Sequence, residues 1–265
     1  PAFWLEVRDT CTSMGLMMSV VLLVGAARVY VRQHVQRAAL HAFLLELLAT
    51  FQLCLCTHEL QLLSEQEPPH SSWPLTLIYF FSLVHGLTLA GTSNNPCGLL
   101  MQMLLGAMTP SIGLLKLGAQ LIGALSSKLC VVGLWNLELA RFHDSDRSFV
   151  CRSPIQVDLA KAFFVESLCS FIFHSALLHF QEVRATLRIH LLSALITFLV
   201  YAGTLTGAVF NPVWTSLHFE CFGEAFFLFH MIYWLAPCLG VLMVILTFSF
   251  FLPWLHNNQR NNKNE

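Results

Sequence analysis

Charge is scarce in this sequence. Lys and Arg number 14 and Asp and Glu 15 among 265 residues, so charged side chains make up 11% of the chain and its formal net charge is −1. A soluble domain of this length carries about twice that fraction on its surface, which excludes an ordinary soluble globular protein. Hydrophobic residues at 56% exclude disorder as well. No run of Lys and Arg is dense enough to neutralise a phosphate backbone, so no nucleic-acid partner is expected. Asn-x-Ser/Thr acceptor sites are absent, and so are a glycine-rich nucleotide loop and Cys/His sets at metal-ligand spacing. The sequence therefore implies no cofactor. The nine cysteines are odd in number and lie mostly inside apolar runs, where Cys acts as a small hydrophobe. Cys151 and Cys221 have polar surroundings, and a bridge between them is left open. The first residue is Pro1 rather than Met, so a processed or trimmed start is expected.

What the sequence has in plenty is long apolar runs, with a mean hydropathy of +0.65. Six of them follow residue 38, about Ala38–Thr57, Leu75–Thr92, Leu114–Trp135, Leu159–Phe180, Ile189–Ala202 and Phe229–Leu252. Each approaches the length that crosses a bilayer as a helix, so an all-α polytopic membrane protein is expected. A further apolar stretch, Met14–Val31, precedes them without a basic segment before it and with Arg28 and Arg32 at its end. That pattern does not fit a signal peptide and leaves two readings, a membrane-inserted helix or one lying in the interface. Arg28, Arg32 and Arg37 stand before the first of the six spans, Arg184 and Arg188 between the fourth and fifth, and Arg260 and Lys263 in the tail. Positive-inside reasoning places those segments in the cytosol. Arg141, Arg147 and Arg152 fall on the opposite side, partly offset by Asp144, Asp146 and Asp158.

The chain also repeats itself. Asn95-Pro96 recurs as Asn211-Pro212, 116 residues later, each with a glycine four positions earlier, Gly91 and Gly207. Glu46 in the first span recurs as Glu166 in the fourth, with Thr50 and Ser170 four positions on. Ala119-Gln120-x-x-Gly123 recurs as Ala236-Pro237-x-x-Gly240. Three spans per unit is an odd number, so the second unit enters the membrane upside down, as an inverted repeat with its functional site at the midplane.

Proline at the first turn of a helix forfeits no hydrogen bond, and Asn before it can cap that helix while offering its amide. The segments after the two pairs, Cys97–Met108 and Val213–Cys221, are too short to span and fit re-entrant half-helices. Entering from opposite sides, their positive N-terminal ends meet at the bilayer centre, which orients water and opposes cations.

With these features the sequence resembles the aquaporin (major intrinsic protein) family over about residues 38–256. The resemblance rests on Glu46, Gly91, Asn95-Pro96, Gln120, Gly123, Glu166, Thr206-Gly207, Asn211-Pro212 and Tyr233-Trp234-x-x-Pro237-x-x-Gly240. Asn95-Pro96-Cys97, the stretch Thr57–Glu65 and the end Phe251–Asn258 resemble the divergent, intracellular-type subgroup. The resemblance implies an N-terminal extension over 1–37, a first channel repeat over 38–144, a second over 145–256 and a polar cytosolic tail over 257–265. It further implies a homotetramer in the lipid bilayer with one pore per protomer, in the endoplasmic reticulum, other intracellular membranes or the cell surface. The permeants implied are water and small neutral solutes such as glycerol and hydrogen peroxide. In the resemblance Asn95, Pro96, Cys97, Asn211, Pro212 and Val213 form the pore motif, and Glu46 and Glu166 support the half-helices.

The chain also departs from the family. Cys97 and Val213 stand where the two signatures have Ala, and Trp214 stands where orthodox members place an Arg. The other constriction positions fall near Leu75, Leu199 and Ala208. Such an apolar ring lacks donors to replace water's lost hydrogen bonds, so slow water flow with tolerance of uncharged solutes is expected. The same substitutions favour a rival reading, a non-conducting structural protein of the same fold. An enzyme using Cys97 and a buried His lacks any third group at motif spacing. His85, His174, His179 and His230 read as helix-packing residues or pH sensors, and Gly86, Gly106, Gly113, Gly118 and Gly123 as close helix contacts.

Overall fold

The structure is a computed structural model that describes residues 2–65, 73–144, 155–207, 209–217 and 224–254. Ala208, Cys151, Cys221 and the tail 257–265 lie outside the described residues. The described residues form helices and turns without strands: α1 (Ala2–His34), α2 (Ala38–Ser64), α3 (Trp73–Thr88), α4 (Pro96–Leu104), α5 (Pro110–Trp135), α6 (Leu159–His179) and α7 (Ala185–Ala202). A 3₁₀ segment, Pro212–Leu217, is followed by α8 (Glu224–His230) and α9 (Ala236–Ile245), with π-helical turns at Met231–Leu235 and Leu246–Phe251. Among the described residues, six helical stretches, α1 among them, are long and apolar enough to cross a membrane. The second of the six runs expected after residue 38 is shorter in the structure: α3 holds 16 residues and stops at Thr88. The residues beyond it turn through Gly91, whose φ is +84°.

The packing has two-fold symmetry. In the first repeat α2 lies on α5, and in the second α6 lies on α9; α3 and α7, the middle spans, lie on each other. The short elements exchange partners, since α4 packs on α9 and the 3₁₀ segment on α5. Glycine makes the α2–α5 and α6–α9 contacts close. A Cβ on Gly123 would come 2.6 Å from Leu47 O, and one on Gly240 would come 2.5 Å from Ser167 O. Leu47 and Ser167 each follow their span's glutamate by one residue. Gly86 and Gly113 are also close contacts, against Ile189 and Met103. Gly118 is not: a Cβ there meets open space. It lies five residues before Gly123, about 140° round the helix, and so on another face. Gly106 also faces open space, and its φ of +72° makes it a turn residue instead.

The N-terminal helix lies antiparallel along α2. Met17 and Val21 pack with Cys56 and Phe81, while Ser13 reaches Glu59 and Arg28 reaches Leu45. An interfacial helix would cross the end of the bundle instead of following α2 down its length. Near its start, Asp9 accepts from Arg141 Nε at 2.5 Å. Glu59 gathers three donors from three parts of the chain: Ser13 Oγ at 2.5 Å, His143 Nε2 at 2.8 Å and Trp135 Nε1 at 3.0 Å. His143 Nδ1 lies 3.3 Å from Ala140 N, which leaves Nε2 as the ring nitrogen that faces the carboxylate.

Candidate functional site

The loop from α3 to α4 ends in Asn95, the N-cap of α4, with Pro96 at the first helical position. The Asn95 Oδ1 accepts from Cys97 N at 2.9 Å, as a capping side chain does. Asn211 repeats the bond, its Oδ1 accepting from Val213 N at 3.2 Å. Past the cap the two repeats diverge. Leu99 N donates to Asn95 O, an α-helical step, whereas Trp214 N donates to Asn211 O one residue sooner, the tighter 3₁₀ step. Val213, Trp214 and Thr215 are β-branched or aromatic, residue types that lose side-chain freedom in an α-helix. The second short element is described as this six-residue segment up to Leu217, and the remainder of the expected stretch, 218–221, lies outside the described residues.

The two capping amides cross between the loops. Asn95 Nδ2 donates to Phe210 O at 3.3 Å and Asn211 Nδ2 to Asn94 O at 2.9 Å. Asn94 and Phe210 both have positive φ, 45° and 29°, a backbone region that disfavours non-glycine residues. Each is held there by a buried carboxylate. Glu46 accepts from Ser93 N at 3.0 Å and Asn94 N at 2.6 Å; Glu166 accepts from Val209 N at 3.1 Å and Phe210 N at 2.8 Å. The remaining partners differ between repeats. Gln120 Nε2, at 2.9 Å, and Lys116 Nζ, at 3.6 Å, complete Glu46, and the Thr206 hydroxyl, at 2.6 Å, completes Glu166.

Cys97 is fully buried among Met101, Val241 and Cys238. Val213 is equally buried beside Cys54 and Ala124, with Trp214 packed against them. Leu199 packs with Cys169 and Phe210. Leu75 lines an open groove of about 560 Å³ with Thr76, Tyr79, Ala194, Thr197, Phe198 and Tyr201. Leu75, Leu199 and Trp214 thus belong to three separate groups of contacts. Three of the histidines expected as packing residues or sensors bond within their own helix, and His85 bonds across to α2. His179 and His230 bond carbonyls one turn back, Ser175 O and Phe226 O. His174 bonds Ser170, and His85 meets Gln52.

This architecture has known counterparts. The chain is 68% identical over 267 residues to Aquaporin-11 of Equus caballus, covering 100% of this chain and 98% of that relative. It is 67% identical over 262 residues to Aquaporin-11 of Homo sapiens, covering 98% and 97%. The chain belongs to the aquaporin family. Aquaporin-12 of Mus musculus is more distant, at 34% identity over 218 residues, with 79% of this chain and 74% of that relative covered. No family model matches the chain. Among solved structures, the aquaglyceroporin from Plasmodium falciparum superposes with a TM-score of 0.68 over 82% of this chain and 98% of that one. At 18% identity that likeness is one of fold. The protein is therefore an integral, multi-pass membrane protein with the aquaporin fold, in a family of channels rather than enzymes.

Several residues that shape the site are not marked by any short motif. Ser93 and Val209 each give a backbone N–H to a bracing carboxylate, and Ser93 also donates its hydroxyl to Asn95 O at 3.1 Å. Asn94 and Phe210 share a conformation and no chemistry. The offset of 116 residues between the two Asn-Pro pairs does align them, and that alignment is the signal that could have found them.

Proposed function

We propose that each protomer passively conducts water and small neutral solutes, glycerol and hydrogen peroxide among them, past the junction of the two Asn-Pro loops. The observation that carries this reading is the reciprocal Asn95–Phe210 and Asn211–Asn94 bonding. An Asn amide has two N–H groups, and each of these two commits one to the opposite loop. In this reading the second N–H of each donates to a permeant, between two helix starts whose positive ends oppose cations. On the same reading Asn95, Pro96, Cys97, Asn211, Pro212 and Val213 are the pore motif and Glu46 and Glu166 its support, and the crossed bonds are what favours it. The contacts of Leu75, Leu199 and Trp214 lie in three separate groups and Ala208 is outside the described residues, so of the constriction read from the sequence only Trp214, at the start after Asn211, is carried into this proposal. A homotetramer in intracellular membranes completes the reading, on the strength of the family resemblance.

One observation favours a second reading. Val213 is fully buried and the Trp214 ring fills the space beside Cys54 and Ala124, so the same scaffold could be closed and serve a structural role. Flux through proteoliposomes decides between the two. Water, glycerol and peroxide entry above empty vesicles supports conduction, and none in a correctly assembled sample supports occlusion.

A further inference from the structure

The two repeats satisfy one and the same backbone group by different means. In each, the loop before the Asn-Pro pair turns at a glycine with φ +84°, Gly91 or Gly207. The carbonyl just before that glycine belongs to Ala90 in the first repeat and Thr206 in the second. Both residues lie past the end of the preceding helix, at Thr88 and Ala202, where carbonyls run out of helical partners. In the second repeat the Tyr233 hydroxyl donates to Thr206 O at 2.6 Å.

Tyr233 stands three residues before Ala236, and the residue three before Ala119 in the first repeat is Lys116. Lys116 goes elsewhere, to Glu46 at 3.6 Å. The donor to Ala90 O comes instead from outside the repeat. Arg28 of α1 reaches it with Nη2 at 3.1 Å and reaches Leu45 O with Nη1 at 3.0 Å. Arg32 adds a longer bond to the same oxygen, at 3.4 Å.

Arg28 is 2% exposed. A guanidinium so buried is costly unless its donors are used, and Ala90 O, just past the C-terminal end of α3, suits a cation. Its two acceptors are informative. Leu45 immediately precedes Glu46, whose carboxylate grips Ser93 and Asn94, and Ala90 immediately precedes the Gly91 turn. One side chain therefore ties both walls of the loop that delivers Asn95. Anchorage of α1 on α2 accounts for the bond to Leu45 O; the bond to Ala90 O, past the end of α3, is the one that bears on the loop.

We propose that Arg28 is a positioning residue for the first Asn-Pro loop, doing for Asn95 what Tyr233 does for Asn211, so that α1 is part of the channel's inner scaffold. The consequence for flux, slower water passage in Arg28→Gln, rests on the conduction proposed above. The positioning itself is tested without flux, so a non-conducting wild type would leave it standing.

The test is amide hydrogen exchange on the full chain in lipid nanodiscs, with the second loop as internal control. In Arg28→Gln, exchange at Ser93 and Asn94 speeds up at least about tenfold while Val209 and Phe210 stay within about twofold. Tyr233→Phe gives the mirror image. Equal acceleration in both loops, or unchanged rates at Ser93 and Asn94, would overturn the proposal. Should Arg28→Gln fail to fold, Arg28→Lys decides. A selective rise of about threefold or more in the first loop supports the assignment, and no rise overturns it.

Discussion

Asn95 and Asn211 hold each other's loops: each side-chain amide donates to the carbonyl of the residue that precedes the other, Phe210 O at 3.3 Å and Asn94 O at 2.9 Å. Those two carbonyls point across the junction because Phe210 and Asn94 sit at positive φ, 29° and 45°. The strain is kept in place by Glu166 and Glu46, each gripping the N–H of the strained residue and the one before it. Capping, crossing and bracing thus form one coupled unit, and mutations within it are expected to act non-additively.

The bracing acids can be tested one at a time. Glu166→Ala leaves the buried N–H of Phe210 without an acceptor, at about 1–3 kcal/mol, and the half-buried N–H of Val209 at less. Glu166→Gln keeps one acceptor oxygen and loses less. Thermal unfolding of the detergent-solubilised protein should rank wild type above Glu166→Gln and Glu166→Ala last. Melting of Glu166→Ala at the wild-type temperature would show that the carboxyl does not brace the loop.

The glycines divide into two classes. Gly123→Ala and Gly240→Ala drive a methyl group to 2.6 Å and 2.5 Å from backbone oxygens, so a helix pair must move apart. Each should cost about 1–3 kcal/mol. Gly118→Ala and Gly133→Ala, in open space on the same helix as Gly123, should be neutral or slightly stabilising. Melting temperatures of the four variants check this directly, and comparable losses in all four would refute the packing argument.

Trp214 is the departure whose proposed role in selectivity is most readily tested. Replacing it with Arg places a charge and hydrogen-bond donors in an apolar group beside Cys54 and Ala124. Glycerol and peroxide entry should fall relative to water in vesicle swelling measurements. If both solutes cross at their wild-type rates, this position is not the filter.

Much of this was legible in the sequence, for physical reasons that can be named. Asn-Pro marks a helix start by local chemistry, and the acids Glu46 and Glu166 stand out because charge is so rare inside apolar runs. The paired Gly123 and Gly240 came from the same repeat. Less visible was whatever depends on which distant residue reaches a given carbonyl. Nothing in the sequence distinguishes Arg28, buried against Leu45 and Ala90, from a basic flank beside a span. Nor does spacing tell that Lys116 turns to Glu46 where its counterpart Tyr233 turns to Thr206. The 3₁₀ form after Asn211 was hidden for a different reason. The Asn-Pro start is shared, and the divergence lies in the helix propensity of Val213, Trp214 and Thr215.

The central claim is that the crossed asparagines frame a conducting pore. It is tested most directly by stopped-flow light scattering on proteoliposomes, comparing wild type with the Asn95→Asp, Asn211→Asp double variant. Aspartate cannot donate to Phe210 O or Asn94 O and adds negative charge where the helix starts point. The account predicts water and neutral-solute flux above empty liposomes in the wild type and its loss in an equally well assembled variant. Wild-type flux no greater than that of empty liposomes, or flux that survives unchanged in the double variant, would contradict it.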